Sequence, residues 1–230
     1  MCGPSWRSVR RAGPPQCHDR AIWFDGLPMT TRATEPKQDR SRQTRQRILE
    51  ATVESLRLRG WEGTTMAAVA ADAGTSRGAL QHHFPTREDL TAAALDFMFE
   101  QRSAGLDAMD VKDLRGVERV RAVTELMVDV YMSTLFDAAL QVWTVAAVDE
   151  SLRARIEPLE GKFGREVHNR TVALLGVDGR DPVVRGLVQA TLDLGRGLAL
   201  ANQLSDDSKR RAAVLDAWAP QLAAGLGLLD

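Results

Sequence analysis

Hydrophobic positions recur at helical spacing from about residue 41 onward, and no alternating Val, Ile and Thr run of the strand type interrupts them. The first run predicts a helix from about Ser41 to Arg59, which Gly60 would end. Its predicted buried face consists of Ile48, Leu49, Thr52, Val53 and Leu56. The pattern therefore predicts an all-α fold, with an N-terminal helix-turn-helix domain followed by a larger helical domain.

Two short helices follow the first one. The second would begin after Thr64 or Thr65, since either can cap it, and would end at Gly74. Ser76 can cap a third helix over residues 77–83. Two short helices joined by a turn of about three residues, with a longer helix before them, have the arrangement of a helix-turn-helix.

The third helix should be held from one side only, through Leu80. Pro85 then breaks the chain, and Thr86 with Asp89 three residues later is similar to a capping box. These residues predict the start of a fourth helix.

Beyond residue 103 the helical pattern continues. Residues 126–148 are apolar nearly all round but are interrupted by polar side chains, which favours two buried helices over a membrane span. Ser151 would start a further helix that Pro158 kinks. Asp181 followed by Pro182 is a typical start signal for another.

The composition indicates where in the cell the protein is expected and shows that charge is unevenly distributed along the chain. The chain is 44% hydrophobic and 27% charged, which is ordinary for a globular protein. Cys2 and Cys17 have neither metal-site nor disulfide-framework spacing, and the N-terminus has no apolar signal segment, so we expect a cytoplasmic protein.

Residues 1–47 carry ten Lys or Arg against four Asp or Glu, whereas residues 103–230 carry fifteen Lys or Arg against nineteen Asp or Glu. The basic end is either the part that meets a polyanion or an unstructured basic tail.

The same patterns divide the chain into three parts. Residues 1–40 are rich in Pro, Gly, Ser, Thr and Arg and are expected to be disordered, with Met29 as an alternative translation start. Residues 41–88 form the predicted helix-turn-helix domain, and residues 89–230 the helical domain that follows it.

Residues 44–95 carry four short motifs in sequence. They are Thr44-Arg45-x-x-Ile48-Leu49, Gly60-Trp61-x-x-Thr64-Thr65, Val69-Ala70-x-x-Ala73-Gly74-x-Ser76-x-Gly78-x-Leu80, and His83-Phe84-x-x-Arg87-Glu88-x-Leu90. In order and spacing this stretch of about fifty residues resembles the DNA-binding domain of the TetR family of bacterial transcriptional regulators. The remainder of the chain resembles that family only in helical character and length.

The resemblance implies a transcriptional regulator, usually a repressor, that binds double-stranded DNA. The predicted DNA-binding residues are Arg45, Thr65, Ser76, Arg77, Gly78, Gln81, His82 and Arg87. Phosphate contacts would come from Arg45, from Arg87 and from the backbone amide of Thr65, and Gly78 would allow close approach. Base reading would fall to Arg77, Gln81 and His82, of which arginine favours guanine.

Two positions depart from the family pattern. Gln81 stands where the family commonly has a tyrosine that meets a phosphate, so that contact is in doubt; glutamine could instead reach a phosphate or read an adenine edge. Arg87 stands where lysine is usual and would preserve the phosphate role. His83 and Phe84 are expected to pack between the domains.

The resemblance also implies a small-molecule effector, a homodimer and no cofactor. Candidate lining residues for a largely apolar effector pocket are Met127, Tyr131, Met132, Phe136, Trp143 and Phe163, although each is also what a helical core contains. The dimer interface would be formed by the last two helices, over residues 182–203 and 207–226, with Gly195 and Gly197 allowing close approach. An effector would shift the fourth helix and change the distance between the two DNA-reading helices, which must lie about 34–36 Å apart.

Other functions find less support in the residues. A di-iron enzyme needs Glu-x-x-His pairs, and none occurs; a P-loop and a dinucleotide-binding fingerprint are also missing. The neighbouring residues His82 and His83 point about 100° apart on a helix and predict no metal site. The remaining alternative is a helical module that binds DNA non-specifically, or binds protein, without an operator.

Overall fold

Nine helices and no strands make up the part of the chain that the structure, a computed structural model, describes: residues 36–106 and 111–229. The all-α prediction is confirmed. The helices are α1 (Pro36–Gly63), α2 (Met66–Asp72), α3 (Arg77–His83), α4 (Arg87–Leu106), α5 (Gly116–Tyr131), α6 (Thr134–Ala146), α7 (Glu150–Leu175), α8 (Pro182–Ala201) and α9 (Ser208–Leu226).

The first helix begins earlier than predicted. It starts at Pro36, so residues 36–40 are helical rather than part of a disordered segment. Proline is well suited to a first helical turn, and Asp39 adds a favourable negative charge there. The rest of the predicted disordered segment, with Met29, lies outside the described residues.

The break near the end of α1 and the starts of α2 and α3 lie at the glycine and capping residues that the sequence predicts. Gly60 interrupts the helical backbone near the end of α1 at a φ of 66°, which favours glycine. Thr65 caps α2 and Ser76 caps α3. Gly74, with a φ of 62°, turns the chain between them.

The apolar segment after residue 126 forms parts of two helices. Val120, Val123, Met127 and Val130 are buried, as their spacing predicts. The same spacing continued to Thr134 would predict a buried residue there, but Thr134 is exposed. Helix α5 ends at Tyr131, and Ser133 caps α6, so the period of 3.6 residues is lost between them.

The C-terminal helices follow their start signals. Asp181 caps α8, with Pro182 in the first helical turn, and Asp207 precedes α9. Helix α7 continues on both sides of Pro158 as one helix. None of the helices in the described ranges is long and apolar enough to cross a membrane.

The helices pack in two connected groups. Helix α1 packs against α2, α4 and α6, and α7 packs against α4 and α6. Helix α5 packs against α7, α8 and α9. Because α1 lies directly on α6, the helix-turn-helix shares its core with the helices that follow it.

Candidate functional site

Helix α3 presents a polar face to solvent. Arg77, Gly78, Gln81 and His82, here called the α3 face, are all exposed, whereas Leu80 is fully buried. The seven residues of α3 include no acidic side chain. The helix is therefore held from beneath by one leucine, while its outer side offers hydrogen-bond donors and positive charge.

Two side-chain caps set the orientation of α2 and α3. The Thr65 hydroxyl accepts a hydrogen bond from the Ala68 amide at 3.1 Å. The Ser76 hydroxyl accepts one from the Ala79 amide, also at 3.1 Å. The Thr65 amide, expected to meet a phosphate, already donates to the Gly63 carbonyl at 3.1 Å. Thr65 is exposed at the start of α2, but its own N–H is occupied.

Arg45 lies on α1 beside the end of α3. Its side chain is exposed, and its guanidinium carbon lies 5.3 Å from the ring centroid of buried Phe84. This cation–π contact keeps a positive charge close to the α3 face without removing it from solvent. Phe84 is buried as expected, and His83 is half-buried next to it.

Arg87 is more enclosed than a free surface arginine. Its guanidinium carbon lies 3.8 Å from the Trp61 ring centroid, and its Nη2 donates to the Trp61 carbonyl. Loss of solvent around the half-buried side chain lowers the pKa of Arg87. Arg87 therefore ties the start of α4 to the end of α1, and its phosphate contact stays a prediction.

Residues 74–78 also match Gly-x-Ser-x-Gly, the pattern around the nucleophile of many hydrolases. That chemistry needs a serine on a sharp turn between a strand and a helix. Here α2 precedes the turn, and the Ser76 hydroxyl is used as a helix cap. The match to the hydrolase pattern arises because the glycine turn after α2 and the serine cap of α3 lie close together in the sequence.

A cavity lies between α4, α5, α6 and α7. It encloses about 580 Å³ of empty space, counting its open mouth. Four of the six predicted residues line it, namely Tyr131, Phe136, Trp143 and Phe163. The other lining residues are Leu95, Asp96, Phe99, Val130, Ser133, Leu135, Ala139, Ile156, Leu159 and Glu160.

The two predicted methionines do not line this cavity. Met127 is buried in the main core, at 1% exposure. Met132 lies after the end of α5, and packs against a small cluster of Val128, Leu198 and Leu215. The Met132 sulfur also accepts a hydrogen bond from Nη1 of Arg211, with 3.7 Å between the two atoms. Sequence periodicity marks both as apolar but does not say which neighbour covers them.

Sequence reasoning missed the contribution of α4 to the cavity. Leu95 and Phe99 are buried, one helical turn apart, on the side of α4 that faces α7. Their spacing of four residues is a usable signal, but all the lining residues predicted from the sequence lie at or beyond Met127. Glu160 and Asp96 were also missed because charged residues are usually read as surface.

Helix α4 connects the α3 side of the molecule with the cavity. At its N-terminal end the Asp89 amide donates to the Thr86 hydroxyl at 3.0 Å, which caps the helix. The Asp89 carboxylate pairs with Arg155 of α7 at 2.9 Å, and Asp96 pairs with Lys162 at 2.8 Å. The hydrogen bond from Thr86 and the pairing with Arg155 both lower the pKa of Asp89.

Helix α8 carries an apolar stripe, and the buried residues of this stripe pack within the chain. Val184, Val188 and Leu198 are buried, and Gly195 packs so closely on Tyr131 that an added Cβ would lie 3.0 Å from its ring. The Trp218 indole donates to Thr191 at 3.0 Å, which ties α9 to α8.

A second face of α8 and α9 is exposed and built from small residues. Its residues are Val183, Gly186, Ala190 and Gly197 on α8, and Ala213, Ala217, Pro220 and Ala224 on α9.

The described residues contain no group of three or more His, Cys, Asp or Glu side chains that could hold a metal ion. His168 is half-buried, and burial lowers its pKa. It faces neither the α3 face nor the lining of the cavity, so we assign it no role.

Comparison with known proteins finds a match to a sequence family over the helix-turn-helix part of the chain. Residues 48–94 match a family described as bacterial regulatory proteins, tetR family. The HTH-type transcriptional regulator PksA of Bacillus subtilis is 33% identical over 47% of this chain and 52% of its own length. The chain spans about half the length of the curated relatives it matches.

Solved structures share the fold at low sequence identity. The multidrug binding protein EbrR, solved with ethidium, has a TM-score of 0.57 and 22% identity over 76% of this chain and 98% of its own. The regulator FadR of Bacillus subtilis, solved with stearoyl-CoA, has a TM-score of 0.57 and 15% identity over 78% of this chain and 98% of its own.

Proposed function

We propose that this chain, whose residues 48–94 match the tetR family of bacterial regulatory proteins, is a ligand-responsive transcriptional regulator of that kind. We propose further that it is a repressor, released from a palindromic operator by a small-molecule effector. The observation that carries the proposal is the α3 face: exposed, free of acidic residues and supported by buried Leu80.

The chemistry of the α3 face suits a DNA major groove. Arginine can donate two hydrogen bonds to guanine, and glutamine can pair with adenine. Arg77 and Gln81 would therefore read bases, with His82 beside them. Arg45 would contact a phosphate, because it holds an exposed positive charge next to α3 without an acidic partner in hydrogen-bonding distance among the described residues.

Effector response would pass through α4. This helix contributes Leu95 and Phe99 to the cavity wall, while its first turn holds the α1–α2 corner through Arg87. A ligand that separates α4 from α7 would move that corner, provided that it binds the two arrangements with different affinity. The ethidium and stearoyl-CoA bound by the two structural relatives are consistent with an effector site in this fold.

Dimerisation would use the exposed small-residue face of α8 and α9 rather than their apolar stripes. Those stripes are already buried in the chain's own core. Small side chains allow two helix pairs to approach closely, and a two-fold axis would place both α3 helices on one side. Gly197 is exposed in this face, whereas Gly195 is not.

Catalysis is not part of the proposal. The relatives are named as transcriptional regulators, and the one hydrolase-like motif is accounted for by the Ser76 cap. The second candidate, a helical module that binds DNA without sequence preference, shares the α3 face and differs only in selectivity.

Selection of binding sites from a random duplex library tests the proposal. We expect the protein to enrich one palindromic site, and Arg77→Ala to relax or lose the preference at the bases that Arg77 reads, by about 1–3 kcal/mol of discrimination. Arg57→Ala is the matched control, because Arg57 is exposed on α1 but is paired with Glu54.

Failure to enrich any site, with only salt-sensitive general binding, would favour the non-specific module. Enrichment of a single half-site rather than a palindrome would contradict the dimer.

A further inference from the structure

The cavity wall contains a buried hydroxyl whose hydrogen meets no acceptor among the described residues. Tyr131 is 1% exposed, and the polar side chain that reaches its Oη is the Arg196 guanidinium, which can donate to it but cannot accept from it. Ser133, the other hydroxyl in the wall, donates to the Val130 carbonyl and accepts from the Phe136 amide. Buried hydroxyl groups are nearly always paired, so one at a cavity whose hydrogen lacks an acceptor is a position where a ligand can complete the bond.

The surroundings of Tyr131 indicate which partner is missing. The Arg196 guanidinium carbon lies 5.6 Å from the Tyr131 ring centroid, and a guanidinium offers only donors. Burial raises the pKa of Tyr131, and the positive charge of Arg196 together with a hydrogen bond from it offsets this only in part, so the phenol keeps its proton at neutral pH. A protonated phenol beside a donor needs an acceptor for its own hydrogen.

The charges of the cavity wall are balanced within the protein. Glu160 pairs with Arg196 at 3.2 Å, and Asp96 pairs with Lys162 at 2.8 Å. An anionic ligand would meet two carboxylates, and a cationic one would have to compete with two existing pairs. Since a buried charge needs a partner, the wall favours an uncharged ligand.

The apolar part of the wall is rich in aromatic rings. Phe99 and Phe163 pack edge to face with centroids 4.2 Å apart, and Phe136 and Trp143 do so at 5.9 Å. Aromatic rings prefer such offset or edge contacts, so a wall of this kind would hold an aromatic ligand against it. The empty space of about 580 Å³ includes the open mouth, so the enclosed part is smaller than this figure and suits a small ligand.

We propose that the effector is an uncharged molecule of one or two aromatic rings with a carbonyl-type oxygen, to which the Tyr131 hydroxyl donates a hydrogen bond. This inference rests on the proposed function, because it treats the cavity as the effector site. It assigns Tyr131 as the residue that distinguishes a carbonyl compound from a hydrocarbon of the same shape.

Calorimetric titration of the full chain with three probes tests the assignment. Acetophenone carries the carbonyl, ethylbenzene has a similar shape without it, and benzoate carries a negative charge. We expect Tyr131→Phe to weaken acetophenone binding by about tenfold and to change ethylbenzene binding by less than about twofold. Benzoate should bind more weakly than acetophenone.

A second variant verifies the place of binding. Ala139 lines the cavity, so Ala139→Phe should fill it and abolish the binding of acetophenone and ethylbenzene, with an unchanged far-ultraviolet circular dichroism spectrum. The inference is overturned if Tyr131→Phe affects both probes equally or neither, if benzoate binds most tightly, if no probe binds, or if binding survives Ala139→Phe. The titration contains no DNA, so its failure alongside successful operator selection would leave the regulator proposal standing.

Discussion

The α3 face is exposed to solvent and lies on one helix, whereas the cavity is enclosed by side chains from several helices. The α3 face comes from four exposed residues within one helix of seven residues, with Leu80 of the same helix buried beneath them. The cavity takes its wall from four helices between Leu95 and Phe163, and Tyr131 within it is almost fully enclosed. A substitution on the α3 face should therefore change recognition with little effect on stability, whereas a substitution at the cavity should change both.

The largest expected effect separates the two sides of α3 itself. Leu80→Ala removes a fully buried side chain and should lower the free energy of unfolding by about 2–5 kcal/mol. Gln81→Ala, next to it and exposed, should change that free energy by no more than about 0.5 kcal/mol. Urea denaturation of both variants measures the difference. Similar losses in the two would mean that the exposed side of α3 also carries structural contacts.

The next test compares two glycines of α8. A Cβ added at Gly195 would lie 3.0 Å from the Tyr131 ring, whereas one at Gly197 would meet nothing within 4 Å. Gly195→Ala should lower stability by about 1–3 kcal/mol, because the enclosed ring must shift. At protein concentrations too low for the proposed dimer, Gly197→Ala should raise it by up to about 1 kcal/mol, because alanine favours a helix and displaces nothing within the chain itself. Thermal unfolding should show opposite signs; equal signs would contradict the packing of Tyr131 on α8.

A smaller effect distinguishes the kinds of contact near the α3 face. Arg45→Ala should weaken binding to all DNA sequences alike and reduce the slope of log K against log salt by about 0.9, if Arg45 neutralises one phosphate. Site preference should not change, in contrast to Arg77→Ala. Fluorescence anisotropy at several salt concentrations gives the slope, with Arg57→Ala as control. An unchanged slope would remove Arg45 from the DNA contacts.

The smallest effect concerns the pairing of α4 with α7. Because the folded-state pKa of Asp89 is lowered from its usual 3.8, its ionised form stabilises the fold above that pH, and this contribution is lost as pH falls below it. Asp89→Asn should therefore reduce the loss of stability on acidification below about pH 4. Unfolding midpoints of the two proteins between pH 3 and 7 test this. Parallel pH profiles would show that neither the hydrogen bond from Thr86 nor the pair with Arg155 stabilises the ionised carboxylate.

Much of the α3 side was predictable because its signals are local. Thr65 and Ser76 cap their helices as their residue types suggest, and Gly74 adopts the positive φ that its place in the turn requires. These are decided by residues within four positions of one another. The first turn of α1 was missed, since a polar segment beginning with Pro36 has no hydrophobic period to mark it.

The cavity was predictable only as a set of apolar candidates. Hydrophobic spacing identifies Met127 and Tyr131 equally as inward residues of α5, yet one packs in the core and the other lines the cavity. The difference depends on which helix crosses above each residue. Pairs such as Glu160 with Arg196 join residues 36 positions apart and leave no periodic signal.

The sequence by itself determined the helical class, the helix-turn-helix and the residues that α3 presents, because caps, turns and helix periods act between near neighbours. The tertiary structure decided which side chains enclose the cavity, that Arg87 is bound to Trp61, and that the apolar stripe of α8 is used inside the chain. These outcomes depend on contacts between helices far apart in sequence, where each apolar or charged side chain has several possible partners and only the packing of the whole selects one.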